Sequence, residues 1–527
     1  MAQIKAFSVL DDRLLGEFDV SDGQTTAAQL RDARAAAAAW AQLSVTQRLE
    51  CLMLLTEQLL KHADAIVECI QHTTGKVPTE ALLGEIYPVL ELLAYYRKNA
   101  HEILSERPVA TSSFSFPGAT ATIKRKPFGV VLVLSPWNYP LQLSLAPLLT
   151  ALIAGNAVIL KPSELCLPVG AMIMDLLAPL NLPAGLVQLA IGGREVGEGL
   201  IDAAPDLVFF TGGLTAGRAV MQRAAQHPVP VLLELGGKDA MLVFADAHLP
   251  RAVDAALYGA FCNSGQVCVS IERLYVQRAC FDEVLQGLRD GVSRLRVGVD
   301  ADAELGALTS LAQFDVIQAH YDDAMAQGAQ ASGPLRRDGR LITPVVLWNV
   351  HHGMRILREE TFGPLLPVMA FEEEAEAIRL ANDSELGLNA SVWSQDIDKA
   401  RRVAEQLQVG NWVINDVIKN IGHPGLPFGG VKRSGFGRYH GAEGLLSFSQ
   451  AVAGVINRSR LPKEPNWFPY SAQRYQAFKA YLDFLHGTDA PWQRGRRNWR
   501  ALMTFREYSS LDFRQLFHNF TSWLKSR

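Results

Sequence analysis

Residues 126–161 read KPFGVVLVLSPWNYPLQLSLAPLLTALIAGNAVILK. The 34 residues between Lys126 and Lys161 carry no charge, a length that would allow a membrane-spanning helix. Pro136, Asn138, Pro140 and Pro147 argue otherwise, because a lipid-exposed helix rarely tolerates so many breaks and polar groups. The stretch parses better into an apolar run of strand length (130–134), a helical segment (141–154) and a second apolar run (157–160). Strand, helix, strand is a βαβ unit, whose parallel strands are buried on both faces and so lose polar alternation. The predicted class is α/β, with a doubly wound parallel sheet.

The theme continues on both sides. Short apolar strands are predicted at 187–191, 207–210, 231–235 and 241–244, and glycine pairs follow the first three. Ligands of such sheets bind beyond the strand carboxyl ends. A further α/β alternation begins at 246, with strands near 274–276, 345–347, 366–370 and 410–414. Upstream, 28–43, 46–69 and 80–104 read as helices. Residues 107–125 alternate like a two-stranded arm around Pro117-Gly118.

Composition bounds the function. The chain has 527 residues, 49% hydrophobic and 20% charged, with a net charge of −4. That excludes a disordered chain and a small disulfide scaffold, and speaks against a dedicated nucleic-acid binder. Its six cysteines (51, 69, 166, 262, 268 and 280) form no CxxC pair, which favours a reduced, cytoplasmic setting. The start, MAQIKAFSVL, lacks the pattern of a signal peptide. No common zinc-ligand spacing occurs, and no metal is expected.

Several residues can carry chemistry. Cys268 closes Phe261-Cys-Asn-Ser-Gly-Gln-Val-Cys268, where the Asn-Ser-Gly break puts the thiol at a loop or helix start. A thiol there becomes a nucleophile if its environment activates it, and a buried structural cysteine is the alternative. Cys262, in an apolar stretch, reads as structural. Glu234 ends an apolar strand before Gly236-Gly237. Burial would raise its pKa and make it a base, and a solvated strand-end carboxylate is the other reading. Asn138, on a Pro-flanked turn, can donate its amide to an oxyanion or simply make the turn. Lys161 and Glu164 follow a strand and could meet ribose hydroxyls or phosphate, or form an ordinary surface pair. Phe210-Thr-Gly-Gly-Leu-Thr-Ala-Gly217, Glu359-Glu-Thr-Phe-Gly-Pro364 and Pro427-Phe-Gly-Gly430 are weak signals singly.

In this order and spacing, the motifs Pro136-Trp-Asn-Tyr-Pro140, Lys161-Pro-Ser-Glu164, Phe210-Thr-Gly-Gly213 with Gly217, Glu234-Leu-Gly-Gly237, Asn263-Ser-Gly-Gln-Val-Cys268, Glu359–Pro364 and Pro427–Gly430 resemble the aldehyde dehydrogenase superfamily over roughly residues 25–450. Asn415-Asp-Val417 and Arg438-Tyr-His-Gly441 look like its branch of dimeric aromatic and fatty aldehyde dehydrogenases, whereas Gln266-Val-Cys-Val-Ser270 looks like other branches. The resemblance implies two doubly wound parallel-sheet domains and a β-arm for oligomerisation. Residues 1–107 and 126–236 would be the NAD(P)-binding domain and 237–433 the catalytic domain. Residues 108–125 and 434–457 would form the arm, and 458–527 a helical extension.

By the same resemblance Cys268 is the nucleophile, Glu234 the general base and Asn138 the oxyanion donor. Lys161 and Glu164 hold the adenosine ribose, and Gly213 and Gly217 lie by the pyrophosphate. Leu134, Trp137, Gly193, Gly197, Leu235, Glu360 and Phe362 complete the cofactor contacts. The implied cofactor is NAD, since a carboxylate at Glu164 accepts from a 2′-hydroxyl and repels a 2′-phosphate; NADP stays open. The substrate would be an apolar aldehyde, oxidised to the acid by a homodimer. A semialdehyde-specific or coenzyme-A-acylating relative, or a binding protein of the same fold, are the alternatives.

Residues 458–527 differ from the rest, with 13 Lys or Arg against 5 Asp or Glu and 15 of the chain's 44 aromatics. The stretch has no 18-residue apolar run. Leu511, Phe513, Leu516, Phe517, Phe520, Trp523 and Leu524 fall at helical spacing. That stripe either packs on the core or a partner subunit, or lies on an anionic membrane surface.

Overall fold

Val130–Leu134 is a strand with all five residues buried, and every residue of the Gln142–Ala154 helix is buried as well. Ala157–Lys161 returns parallel to the first strand, with Val130 opposite Ala157 and Leu134 opposite Lys161. The βαβ unit thus forms as read. The structure, a computed structural model, describes residues 2–111, 116, 118–459, 463–464 and 466–504.

Around this unit grows a six-stranded sheet in the order Gly435–Phe436, Val231–Glu234, Leu207–Thr211, Val130–Leu134, Ala157–Lys161, Val187–Leu189. All neighbours are parallel except the first pair. The chain starts in the middle and winds outward both ways, so a crevice opens beyond the carboxyl ends of Val130–Leu134 and Leu207–Thr211. A second, seven-stranded sheet runs Gln330–Ala331, Val345–Trp348, Leu365–Phe371, Ile271–Gln277, Asp239–Val243, Asn389–Trp393, Asn411–Ile414. It too is parallel apart from its first pair. Buried aliphatic clusters pack on both faces of these sheets.

Departures from the sequence reading have physical causes. The 46–69 segment is two helices, Val45–Lys61 and Ala63–Thr74, broken at His62 without glycine or proline. The 80–104 segment contains a π-helical turn, Leu82–Ile86, between Pro78–Ala81 and Tyr87–Leu104. An N-terminal hairpin, Gln3–Phe7 with Leu14–Asp19, was not foreseen, because it buries little and shows little apolar alternation. Gly435–Phe436 pairs with the Glu234 strand, so 434–450 belongs with the larger body and not with the expected arm.

The chain divides into two units, residues 1–105 with 125–450, and residues 106–124 with 451–527. In the smaller one Arg107–Val109 pairs antiparallel with Ala119–Pro127, and Ser449–Asn457 completes a three-stranded sheet. Two helices follow, Ala472–His486 and Pro491–Thr504. Pro117 of the expected turn and the 511–524 stripe lie outside the described residues. Among the described residues no helix is long and apolar enough to cross a membrane.

Candidate active site

The loops after the first sheet's strands carry most of the residues singled out in the sequence. Asn138 sits on the turn after Val130–Leu134, buried, and its Nδ2 donates to the Gln266 carbonyl at 3.0 Å. A buried ion pair fixes the turn. Lys76 Nζ donates to Glu85 Oε1 at 2.6 Å and to the Asn138 carbonyl at 2.9 Å, and lies 3.5 Å from the Tyr139 ring centroid. Glu85 Oε2 accepts from the N–H groups of Leu141 and Gln142 at the helix start, where a carboxylate also meets the positive end of the helix dipole. The π-helical turn delivers Glu85 to this place, as such turns commonly do near functional sites. Glu85→Ala would leave the Lys76 charge buried without its partner. It is expected to cost about 3–5 kcal/mol of folding free energy, measured by urea unfolding.

Cys268 follows a tight turn, Cys262–Gly265, in which Asn263 (φ 49°), Ser264 (φ 55°) and Gly265 (φ 74°) are all left-handed. Two non-glycine residues in that region cost roughly 1–2 kcal/mol each. Hydrogen bonds hold them. Asn263 N–H donates to Glu80 Oε1 at 2.7 Å, Asn263 Nδ2 to the Asn138 and Gln266 carbonyls, and Ser264 Oγ to the Gly306 carbonyl at 2.7 Å. A side chain on Gly265 would collide with the Gly363 backbone. Cys262 is buried, as read, and Cys268 is half-buried. Burial pushes the Cys268 thiol up, and the carboxylates of Asp239, Glu360 and Glu234 push the same way.

Glu234 ends its strand buried. Neither carboxylate oxygen has a hydrogen-bond partner among the described residues. Burial holds its pKa well above the ordinary carboxylate range, with the Arg438 charge acting against it. Gly429, in the motif that looked weak, leaves room for this carboxylate, since a Cβ there would lie 2.9 Å from Glu234 Oε1. The structure therefore brings Cys268, Glu234 and Asn138 to one place. A buried carboxyl group with a raised pKa, beside a buried thiol, can take up a proton when it is ionised and hold it away from water.

The second group of residues makes a cradle. Lys161 is buried, which lowers its pKa, and its Nζ lies 3.2 Å from the Pro162 carbonyl and 3.9 Å from Glu164. Gly197 lets the helix Arg194–Asp202 approach the Lys161 stem and Leu134. Gly193 and Gly213 each stand at the N-cap of a helix, Arg194–Asp202 and Leu214–Ala224, and these helices pack together. Gly213 has open space around its Cβ direction, while a Cβ on Gly217 would lie 2.6 Å from Leu235. The open helix N-terminus at Gly213, beside a buried ammonium, suits a dinucleotide's phosphates and ribose, whereas the Glu195 carboxylate lies by the one at Gly193. Across from them, the Phe362 ring (φ 50° backbone) meets Trp137 edge-on at 5.5 Å. Glu360 Oε1 accepts from Gly237 N–H at 3.1 Å, and burial pushes its pKa up.

Sequence reasoning missed the group that positions this turn. Glu272 accepts from the N–H groups of buried Thr361 and half-buried Phe362 and from buried Lys238 Nζ. Its neighbour Arg273 donates to the Leu380 and Ala381 carbonyls at a helix end. The only signal was a pair of charges beside an apolar run, which reads as a strand boundary. His352 is half-buried between Asp383 and Tyr275, next to the exposed His351.

Residues 2–453 match the model of the aldehyde dehydrogenase family, and the chain belongs to that family. A 4,4'-diapolycopene aldehyde oxidase from Methylomonas sp. is 66% identical over 519 residues, 98% of either chain. A putative NADP(+) succinate-semialdehyde dehydrogenase from Mycolicibacterium smegmatis is 36% identical, covering 85% of this chain and 88% of that one. Betaine aldehyde dehydrogenase from Staphylococcus aureus, solved with NAD+, superimposes with a TM-score of 0.83 at 31% identity, covering 89% of this chain and 94% of that one. The chain is an oxidoreductase of aldehydes.

Proposed function

We propose that this enzyme oxidises a long apolar aldehyde to its carboxylic acid with NAD(P)+. The convergence of Cys268, Glu234 and Asn138 supports the chemistry. The 66% identity to a relative named for an apolar aldehyde supports the substrate class. The nicotinamide cofactor, when bound, takes up the hydride that leaves the substrate carbon.

The chain's own residues do the rest. Cys268 passes its proton to the ionised Glu234 carboxylate, which releases it to solvent, and the thiolate sulfur bonds to the aldehyde carbon. The carbonyl oxygen becomes an oxyanion, which the Asn138 amide and the Cys268 N–H stabilise. Loss of hydride from that carbon leaves a thioester on Cys268. Glu234 then takes a proton from water, the hydroxide attacks the thioester carbon, and the acid departs with the thiolate restored. The buried, unpartnered carboxylate of Glu234 favours hydrolysis over acyl transfer to a thiol such as coenzyme A.

In this reading Lys161 and Glu164 hold the adenosine ribose, and the helix starts at Gly193 and Gly213, with Gly197 and Gly217 behind them, face the pyrophosphate. Leu134, Trp137, Leu235, Glu360 and Phe362 enclose the nicotinamide side. Glu164 favours NAD over NADP. The enzyme works as a homodimer, which the edge strand Ser449–Asn457, exposed at all but its first residue, supports. We place it in the cytoplasm, in peripheral contact with a membrane.

A panel of short aliphatic, long aliphatic, polyene and aromatic aldehydes compared by kcat/KM tests the substrate. The expected order puts long apolar aldehydes about tenfold or more ahead of short ones, since each buried methylene contributes about 0.8 kcal/mol. A preference for succinate semialdehyde would overturn it.

A further inference from the structure

We propose that the helical hairpin of Ala472–His486 and Pro491–Thr504 is a docking surface for an anionic lipid bilayer. The hairpin's buried positions are Arg474, Ala477 and Ala480 on the first helix and Arg494 and Asn498 on the second, with Phe478, Tyr481, Phe484 and Leu485 half-buried beside them. Asp483 binds Arg497 and Asn498 across the pair, and Arg497 also meets Asp489. A second set of large side chains stays exposed. Tyr475, Lys479 and Leu482 recur at i, i+4 and i+7 on the first helix, all exposed; Trp492, Arg496 and Trp499 repeat that spacing on the second. Tyr475 is 66% exposed, Leu482 58%, Trp492 66% and Trp499 57%. The approach to the hairpin adds Phe468 and Tyr470, 74% and 69% exposed with their rings 4.8 Å apart.

Exposed aromatics interleaved with long cationic side chains match the interface of a bilayer, where rings sit at headgroup depth and ammonium or guanidinium groups reach lipid phosphates. The charge selects the occupant. The acidic residues of the hairpin, Asp483 and Asp489, are both paired internally with Arg497. Lys479, Arg496 and Arg500 have no acidic partner among the described residues. A second copy of this chain, meeting the patch through a two-fold axis, would set like charge against like charge, whereas anionic phospholipid complements it. The family model stops at residue 453, but the 66% identical relative named for an apolar aldehyde matches over 519 residues and so carries this region too. The use of such a surface, collecting an apolar substrate where it dissolves, rests on the substrate reading above. Its existence does not, and the vesicle-binding measurement contains no aldehyde.

Full-length protein is mixed with vesicles of phosphatidylcholine alone or with phosphatidylglycerol at one-third, and sedimented. Binding is expected to the anionic vesicles only, and to fall steeply between 0.05 and 0.5 M salt, values chosen to shorten the Debye length from about 14 Å to about 4 Å. R496S/R500S should bind about 30-fold more weakly, and W492S/W499S should release it at any salt. Both variants should keep wild-type NADH formation with hexanal, which checks the fold. Wild-type protein that stays in the supernatant with both vesicle types overturns the proposal. So does a variant pair that binds vesicles normally but changes the oligomeric mass in light scattering, which would assign the face to a second copy.

Discussion

Replacing Cys268 with alanine is expected to abolish aldehyde-dependent NADH formation, by about 10⁴-fold or more, while NAD binding by calorimetry stays intact. Among the described residues of the site the thiol is the group placed to bond the substrate carbon, so its loss removes the covalent route. The resting thiol is held up in pKa by burial and by three carboxylates, so its reactivity depends on delivering the proton elsewhere. Cys262 supplies the internal control. It is also buried, and its pKa is raised well above the ordinary thiol value by burial and Glu80. Cys262→Ala should therefore keep turnover within about threefold. Normal turnover in the Cys268 variant would sink the mechanism.

Glu234→Gln should separate the two halves of the reaction. One equivalent of NADH appears in a burst, and steady turnover then falls by about 10²–10⁴-fold, because the thioester forms but no base activates water. The folded state should tolerate the change. Neither carboxylate oxygen has a hydrogen-bond partner to lose, and a neutral amide avoids the cost of burying charge. The pH dependence follows from the same burial. A raised pKa means the carboxylate is basic only at higher pH. Wild-type kcat should therefore climb as pH rises through that value and drop as Glu234 takes up its proton below it. The variant should lose this limb. Unchanged steady-state hydrolysis would refute the assignment.

How much of this was legible in the sequence depended on whether burial left a trace in the pattern. The strands of the first sheet were clear because parallel strands buried on both faces are apolar throughout, as at Val130–Leu134. The same rule failed at Ile271–Gln277, read as starting at Leu274. Glu272 and Arg273 lie in its core, paired with Lys238, 34 and 35 residues away, and with Phe362 and Leu380, 90 and 107 residues away, and nothing local announces that. Lys76 and Glu85 hid for the same reason, nine residues apart in sequence but joined only because a π-helical turn rotates one toward the other. Cys268, Glu234 and Asn138 could be named because glycine and proline punctuate their surroundings. The groups that hold them in place are ordinary charged residues in ordinary helices and strands. The arm boundary erred because Gly435–Phe436 is a two-residue strand, too short to carry a pattern.

Gly236 has a consequence for how this site can change over time. The place where its side chain would begin is filled by the Glu360 carboxylate. Any side chain at 236 would displace that carboxylate and cost its bond from the Gly237 N–H, whereas loss of the glutamate frees 236 to vary. The two positions, 124 apart in the chain, are thus mutually epistatic through plain volume. Change at 236 is therefore penalised while the glutamate stands and becomes free once it goes.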